Sequence, residues 1–233
     1  MLLKRFLIEK INFLFLILKK NRKLKVKSFN SKINLNLGCG LDVTKNWVNI
    51  DGSLNALIAQ FPNSIQSIFY KFSGAKRYYN KKEFCKILSE NIFVHHDLSK
   101  NIPFFDNTVE NIFSSHFFEH LYRNDAKTFL KECHRVLQKK GILRISIPDL
   151  KFAINLYNEN KKDEMMQKYF FVEEANNDFS RHKYMYDFDM IKRELVDAGF
   201  KKIRRCKFKE GNLPDVDRLD NRPKDSLFVE AVK

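Results

Sequence analysis

The stretch Ile33-Asn34-Leu35-Asn36-Leu37-Gly38-Cys39-Gly40-Leu41-Asp42, followed by Trp47-Val48-Asn49-Ile50-Asp51, decides how this chain is read. Leu35 and Leu37 alternate with asparagines, as in a strand with one face in a core, and the alternation stops at two glycines. Glycine reaches positive φ and has no Cβ, so backbone N–H groups in such a turn can approach a ligand closely. Val48 and Ile50 then lead a second strand to a lone carboxylate, Asp51, which can accept from two adjacent ribose hydroxyls. The layout suits a nucleoside-containing cofactor lying across the carboxyl ends of parallel strands. A glycine pair alone reads equally well as a plain tight turn; the acid ending the next strand favours the nucleoside.

At 233 residues the chain reads as one domain, 31–233, with appended material at 1–30. Such a domain buries a full core without covalent staples. Cys39, Cys85, Cys133 and Cys206 form no CxxC pair, so neither a zinc site nor a disulfide framework is expected, no metal is called for, and a reducing cytoplasm fits. Cys39 sits where the glycine turn wants a small side chain. The formal charge of +15 is unevenly spread, with +9 of it in residues 1–32. A basic block beside apolar residues points to a membrane surface more than to nucleic acid.

Residues 2–18 are strongly apolar and 19–27 strongly basic, yet the longest uninterrupted apolar run is Phe13 to Leu18. About 20 mostly apolar residues are needed to span a bilayer, so no transmembrane helix is expected. Lysines follow the apolar part at once and no small-residue cleavage site does, which argues against a secretory signal. Two readings stay open. One is an amphipathic helix lying in the membrane interface, with residues 1–27 making a peripheral contact at its inner face. The other is a helix packed on the domain or on a second copy.

Residues 53–92 are too long for one crossover helix and rich in aromatic and basic side chains, which reads as a helical insertion. It either covers the cofactor mouth or fills a small satellite core of its own. Further strands are expected at Ile92–Leu98, Val109–Ser115 and Ile142–Ile147, the last stopped by Pro148. Between the latter two, Asn124 reads as the N-cap of a helix with Ala126, Phe129, Leu130, Cys133, Val136 and Leu137 at helical spacing, closed by Gly141. Asp187 reads as the cap of another, with Met190, Ile191, Leu195 and Ala198 inward and Gly199 ending it. Ile203–Phe208 and Leu227–Val232 complete the set as an antiparallel pair at one edge. Strands alternating with helices imply a mostly parallel sheet covered on both faces.

On these residues the chain resembles the class I S-adenosylmethionine-dependent methyltransferases, and within them a group of predicted methyltransferases associated with bacterial surface-glycan biosynthesis. The resemblance rests on Leu35–Gly40, Trp47–Asp51, His96-Asp97-Leu98, Ser114–Leu121, Glu132–Leu137, Ile142–Leu150 and His182–Asp187, and covers roughly residues 33–233. It implies an α/β, Rossmann-like fold with a seven-stranded, mostly parallel sheet, an antiparallel edge strand and helices on both faces. It implies S-adenosyl-L-methionine as cofactor. Leu37, Gly38, Cys39 and Gly40 would wrap its methionine part, Asp51 take the ribose, Asp97 and Leu98 flank the adenine, and Ser115 and His116 sit near the sulfonium. The sequence departs from the family pattern at Asn36, where an acid is common, and at Lys139-Lys140-Gly141, where Pro-Gly-Gly is usual.

Methyl transfer to a hydroxyl also needs a proton acceptor, for which histidine is well tuned. His182 and His120 are the candidates, His120 having a structural alternative as a partner of Glu119 or of backbone. Tyr184, Tyr186 and Asp149 are candidates for the acceptor pocket, or ordinary packing. The expected reaction is methyl transfer to a hydroxyl of a sugar or glycan precursor near the membrane, an acceptor class that rests on family analogy. An RNA methyltransferase is the enzymatic alternative, weakened because Ser114-Ser115-His116 stands where exocyclic-amine enzymes carry Pro-Pro-aromatic. A non-catalytic cofactor-binding protein on the same fold is the other.

Overall fold

The computed structural model describes residues 2–20, 23–24, 32–170 and 181–233, with side chains from residue 10 onward. A helix, α1 (Leu2–Lys19), precedes β1 (Asn34–Leu37) and β2 (Val48–Asp51). Three short helices follow, α2 (Leu54–Ile58), α3 (Asn63–Phe69) and α4 (Lys81–Glu90). Then come β3 (Ile92–His95), β4 (Val109–Ser115), α5 (Arg123–Val136) and β5 (Leu137–Pro148). After α6 (Leu150–Asn158) and α7 (Lys162–Met165), the chain ends with α8 (Phe188–Asp197), β6 (Lys201–Cys206), α9 (Val216–Leu219) and β7 (Ser226–Val232).

The strands make one seven-stranded sheet in the order β3-β2-β1-β4-β5-β7-β6. The first five are parallel, and β7 runs antiparallel between β5 and β6. This is the Rossmann-like class I methyltransferase fold, with the antiparallel member next to the edge strand.

The two faces of the sheet differ in chemistry. Leu35, Leu37, Val48, Ile50, Ile112, Leu143, Ile145, Val229 and Ala231 fill one face and pack against α5 and α8. Each large side chain so buried contributes roughly 1.5–3 kcal/mol. In α5 these are Phe129, Leu130 and Val136, at the 3.6-residue spacing read from the sequence. Asp187 caps α8 by accepting from the Met190 N–H at 2.8 Å, and Gly199 ends the helix at φ +99°. The opposite face aligns Asn36 with Asn49 and Phe113, and Phe113 with Arg144.

That second face has an unusual cover. The β1–β2 crossover, residues 38–47, contains no helix, although parallel strands are usually joined through one. In place of that helix the β6–β7 connector lies over the sheet, with Leu213 and Leu219 on Trp47 and Phe113. Arg144, fully buried, fixes it. Its guanidinium donates to both carboxylate oxygens of Asp220 (2.8 and 2.5 Å), to Glu230 (3.0 Å) and to the carbonyls of Lys207 and Glu210 (3.2 Å each). Nearer the β3 edge, α4 supplies Phe84 and Leu88 to a smaller cluster that includes Phe93, Leu41, Tyr70 and Tyr79. The aromatics of residues 53–92 therefore build a satellite core, and Leu41 ties it to the glycine turn.

Several boundaries differ from expectation. Helix α5 starts at Arg123, because the Ala126 N–H already donates to the Tyr122 carbonyl at 2.8 Å; Asn124 lies in the first turn instead of capping it. Gly141 does not end that helix. The chain passes from Val136 straight into β5, Leu137 pairs with Val109, and Lys140 (φ +68°) absorbs the resulting irregularity. Gly141 lies within the strand, where a Cβ would come within 2.9 Å of the Gln138 and Glu110 carbonyl oxygens. The third strand ends at His95, and His96–Leu98 are loop.

Candidate active site

Between β1 and β4 the strand order reverses direction, and the carboxyl ends of the strands open a crevice there. A cavity at this point is lined by Asn36, Cys39, Asp42, Phe113, Ser115, Leu219 and Asn221. Gly38 (φ +69°) and Gly40 (φ +54°) turn the chain at its edge. At Gly38 a Cβ would fall 2.2–2.5 Å from Phe117 side-chain carbons, so glycine here lets β1 and the segment after β4 close on one another. Asn36 is buried and donates to the Asp42 carbonyl (2.9 Å) and to Asn49 Oδ1 (3.0 Å). A carboxylate could do neither. The departure from the family's acid thus staples the turn to its neighbour strand.

Asp51 ends β2 with its carboxylate held by two backbone amides, Gly40 N–H to Oδ2 (2.9 Å) and Ser53 N–H to Oδ1 (2.7 Å). Each oxygen keeps a free lone pair on a fixed rotamer. Burial, reinforced by Asp51, pushes the Cys39 thiol well above its ordinary value, so this cysteine is a packing group. On the β4 side, the Ser115 hydroxyl donates to Asn221 Oδ1 (2.9 Å), and the Asn221 amide donates to Asp42 Oδ2 (2.5 Å). Asn221 therefore joins the glycine loop to the end of β4, a role no sequence pattern marked. Asp97 accepts from the Ser99 N–H at 3.0 Å, while the Leu98 side chain is buried in the main core.

Past β4 the chain makes a 3-10 turn, Phe118–His120, that carries a buried acid. Glu119 is 1% exposed, and neither carboxylate oxygen makes a well-formed hydrogen bond. Its Oε1 lies 3.4 Å from His116 Nδ1 and 3.8 Å from His120 Nε2. Burial raises the Glu119 pKa, but His116 and His120 outweigh it and the net shift is downward. The Glu119 carbonyl accepts from the Lys183 and Tyr184 amides (2.8 and 3.3 Å), which draws the His182 segment alongside. The His120 and His182 rings stand 5.1 Å apart. Burial, with His120 as a further cause, lowers the His182 pKa, against an opposing pull from Glu119.

The structure thus gathers His116, Glu119, His120 and His182 beside the glycine turn. The isolated acid in Phe117-Phe118-Glu119 was the sequence signal for this cluster, since a carboxylate amid buried phenylalanines requires partners. Tyr184 is half-buried under the Arg123 guanidinium, 4.6 Å from its ring centre. The other two pocket candidates also have structural partners. Tyr186 is 1% exposed and packs on Phe118. Asp149 caps α6 through the Lys151 N–H (3.0 Å) and pairs with Arg205 (2.7 Å).

Comparison with known proteins bears on this geometry. The sequence model of a family described as a methyltransferase domain matches residues 66–145, from α3 into β5; the glycine turn and Asp51 precede the match. No curated protein matches the chain. Among solved structures, a possible exported protein from Bordetella parapertussis is similar, with a TM-score of 0.51 at 10% identity, over 96% of this chain and 67% of that one. The S-adenosylmethionine-dependent methyltransferase SibL gives a TM-score of 0.51 at 14% identity, over 87% of this chain and 50% of that one. These likenesses establish the fold. The matched segment is one described as a methyltransferase domain, and a glycine turn and a strand-end carboxylate stand ahead of it at the switch point of the sheet.

Proposed function

We propose that the chain transfers the methyl group of S-adenosylmethionine to a hydroxyl of a sugar or glycan precursor presented at a membrane surface. The amides of Leu37–Gly40 hold the methionine part, Asp51 takes the ribose hydroxyls, and Asp97 with the backbone of Leu98 borders the adenine. Ser115 and His116 stand at the sulfonium end. The reaction is an in-line displacement at an already activated carbon, so alignment is the main contribution the protein makes, worth on the order of 7–11 kcal/mol. Activation of the acceptor hydroxyl is assigned to the His120–His182 pair, with Tyr184 beside it.

The observation that carries the membrane part of this reading is the orientation of α1. Asn12 donates to the Gly52 carbonyl (2.9 Å), immediately after Asp51, and Lys19 donates to Gln60 (3.2 Å). Meanwhile Ile11, Phe13, Leu14, Phe15, Ile17 and Leu18 are exposed. A helix that meets its own domain through Asn12, Leu16 and Lys19 and leaves six large apolar side chains facing out fits a second apolar phase. No helix among the described residues is long and apolar enough to cross a membrane, so an interfacial position is the one it suits. Most of the basic run at 19–27 lies outside the described residues; Lys23 reaches the Phe104 carbonyl at 3.3 Å.

Flotation with vesicles containing anionic lipid tests the surface. The wild type is expected to float, and Leu14→Glu with Leu18→Glu to remain at the bottom. Labelled S-adenosylmethionine with lipid-linked and free glycan precursors tests the acceptor. Label entering RNA, or no label entering any carbohydrate fraction, overturns the sugar assignment.

A further inference from the structure

We propose that Glu119, His120 and His182 form a binding site for a first-row divalent metal ion, beside the methyl-transfer crevice. One ligand atom from each residue lies within 4.8 Å of the other two. Both histidines place Nδ1 against a carbonyl oxygen, His120 on Arg181 (3.1 Å) and His182 on Tyr169 (2.9 Å). A carbonyl can only accept, so in the neutral rings Nδ1 carries the proton and Nε2 is left as a bare lone pair. This is the arrangement in which metal-binding imidazoles are found, with the second nitrogen fixed by a backbone carbonyl.

The carboxylate supplies the independent observation. Glu119 is buried with both oxygens lacking a well-formed hydrogen bond, and Oε1 faces His120 Nε2 across 3.8 Å. That gap is too long for a hydrogen bond. With a neutral ring it sets one lone pair against another in a poorly solvated place, which is unfavourable unless a proton or a metal cation stands between them. Metal–ligand bonds of about 2.0–2.2 Å would bring such atoms to ~3–3.5 Å apart, a closure of up to roughly 1.5 Å that side-chain torsions can supply. His116, with Nδ1 3.4 Å from Glu119 Oε1 and Nε2 on Ser226 Oγ (2.9 Å), would orient the carboxylate from behind.

The donor set narrows the ion. Two imidazoles and one carboxylate suit zinc, iron(II), manganese or cobalt better than calcium or magnesium, which prefer oxygen throughout. Three protein ligands leave coordination positions open, as in catalytic sites. The His120 side chain is 22% exposed, so those positions are reachable from solvent. No zinc site and no metal were expected from the sequence, an expectation drawn from the cysteine spacing, and none of these ligands is a cysteine. An acceptor hydroxyl on an open position would lose its proton more readily. That role rests on the reading given under Proposed function; binding of the ion does not.

The test uses untagged full-length protein, stripped with a chelator and titrated with Zn²⁺ by calorimetry and with Co²⁺ by visible absorption. One equivalent of zinc should bind, and cobalt should show ligand-field bands of a four- or five-coordinate site. Glu119→Gln and His182→Asn should weaken zinc by upwards of about 100-fold, since changes behind the ligands alone cost 10–100-fold. The thermal shift caused by S-adenosylmethionine should persist in these variants, showing that they fold; if Glu119→Gln does not, His120→Asn gives the same reading from a more exposed position. Failure of the wild type to bind zinc or cobalt, or binding unchanged by all three substitutions, overturns the site. Absence of an S-adenosylmethionine shift in the wild type would instead count against the methyl-transfer reading and leave the metal titration interpretable.

Discussion

The Gly40 N–H donates to Asp51 Oδ2 at 2.9 Å, so the glycine turn and the acid ending β2 hold each other in place. The carboxylate is therefore pre-oriented before any ribose arrives. Asp51→Ala removes both the charge and this bond, and charge-assisted hydrogen bonds contribute about 1.5–3 kcal/mol each. Calorimetry with S-adenosylmethionine should show affinity reduced by at least about tenfold, and thermal stability should fall as the turn loosens. Asp51→Asn, which keeps one acceptor oxygen, should fall between the two. Unchanged affinity in Asp51→Ala would remove the ribose assignment.

Gly38 and Gly40 share positive φ but differ in what surrounds them. A Cβ at Gly38 meets Phe117, whereas at Gly40 it meets nothing within 4 Å. Gly40→Ala should cost about 1–2 kcal/mol of backbone strain. Gly38→Ala should cost that plus roughly 1–3 kcal/mol of overpacking. Urea unfolding of the two variants separates them; equal losses would mean that Phe117 can move aside, and that its contact does not set the crevice.

Those two glycines also show what the sequence could reveal. The alternation of Leu35 and Leu37, the stop at Gly38 and the acid at Asp51 are local signals, and the strand, turn and strand stand where they were read. The end of α5 was not readable in the same way. Leu137 satisfies both the helical spacing and the strand pairing with Val109, and the nonlocal pairing prevails. The connector over the second sheet face carries no periodicity at all. Its clue was Arg144 between Leu143 and Ile145, since a guanidinium in a buried strand needs acids that only the fold brings to it. For the same reason the Glu119 cluster could be suspected from one acid, but its histidines converge from positions 62 residues apart in sequence (His120 and His182).

His95, buried at the end of β3, is expected to govern the acid limb of stability. Burial, then Lys19 and His96, push its pKa down to about 4, against an opposing contribution from the Gly52 backbone. The folded state therefore favours the neutral ring. Stability is fully present above the unfolded value near 6.5 and is lost as pH falls from there towards 4, by up to about 3 kcal/mol. His96 is shifted in the same direction and adds to the loss. Urea midpoints between pH 7 and pH 4.5 should fall steeply in the wild type and less so in His95→Phe. Parallel slopes would show that His95 does not titrate against folding.

Arg144 makes a strong claim on stability, because it binds the connector through Asp220 and through the Lys207 and Glu210 carbonyls at once. Both acids that meet the guanidinium are buried and bind the connector backbone as well. Asp220 accepts from the Lys209 N–H (2.7 Å), and Glu230 from the Asn212 (3.0 Å) and Leu213 (3.2 Å) amides. Arg144→Met keeps the volume but leaves the buried Asp220 without a cation, while Glu230 keeps Arg204 (2.6 Å); breaking such a buried pair costs about 3–5 kcal/mol. Arg144→Lys keeps the charge yet lacks the planar fork that reaches five acceptors, and should recover only part of the loss. Trp47, the one tryptophan of the chain, is buried under the connector and donates from its indole to Asp215 at 3.0 Å. Its emission should shift to the red in Arg144→Met at denaturant concentrations where far-ultraviolet dichroism is still native. A variant that stays within about 1 kcal/mol of wild type, with the Trp47 emission unmoved, would mean that Leu213 and Leu219 hold the connector without the ion pairs.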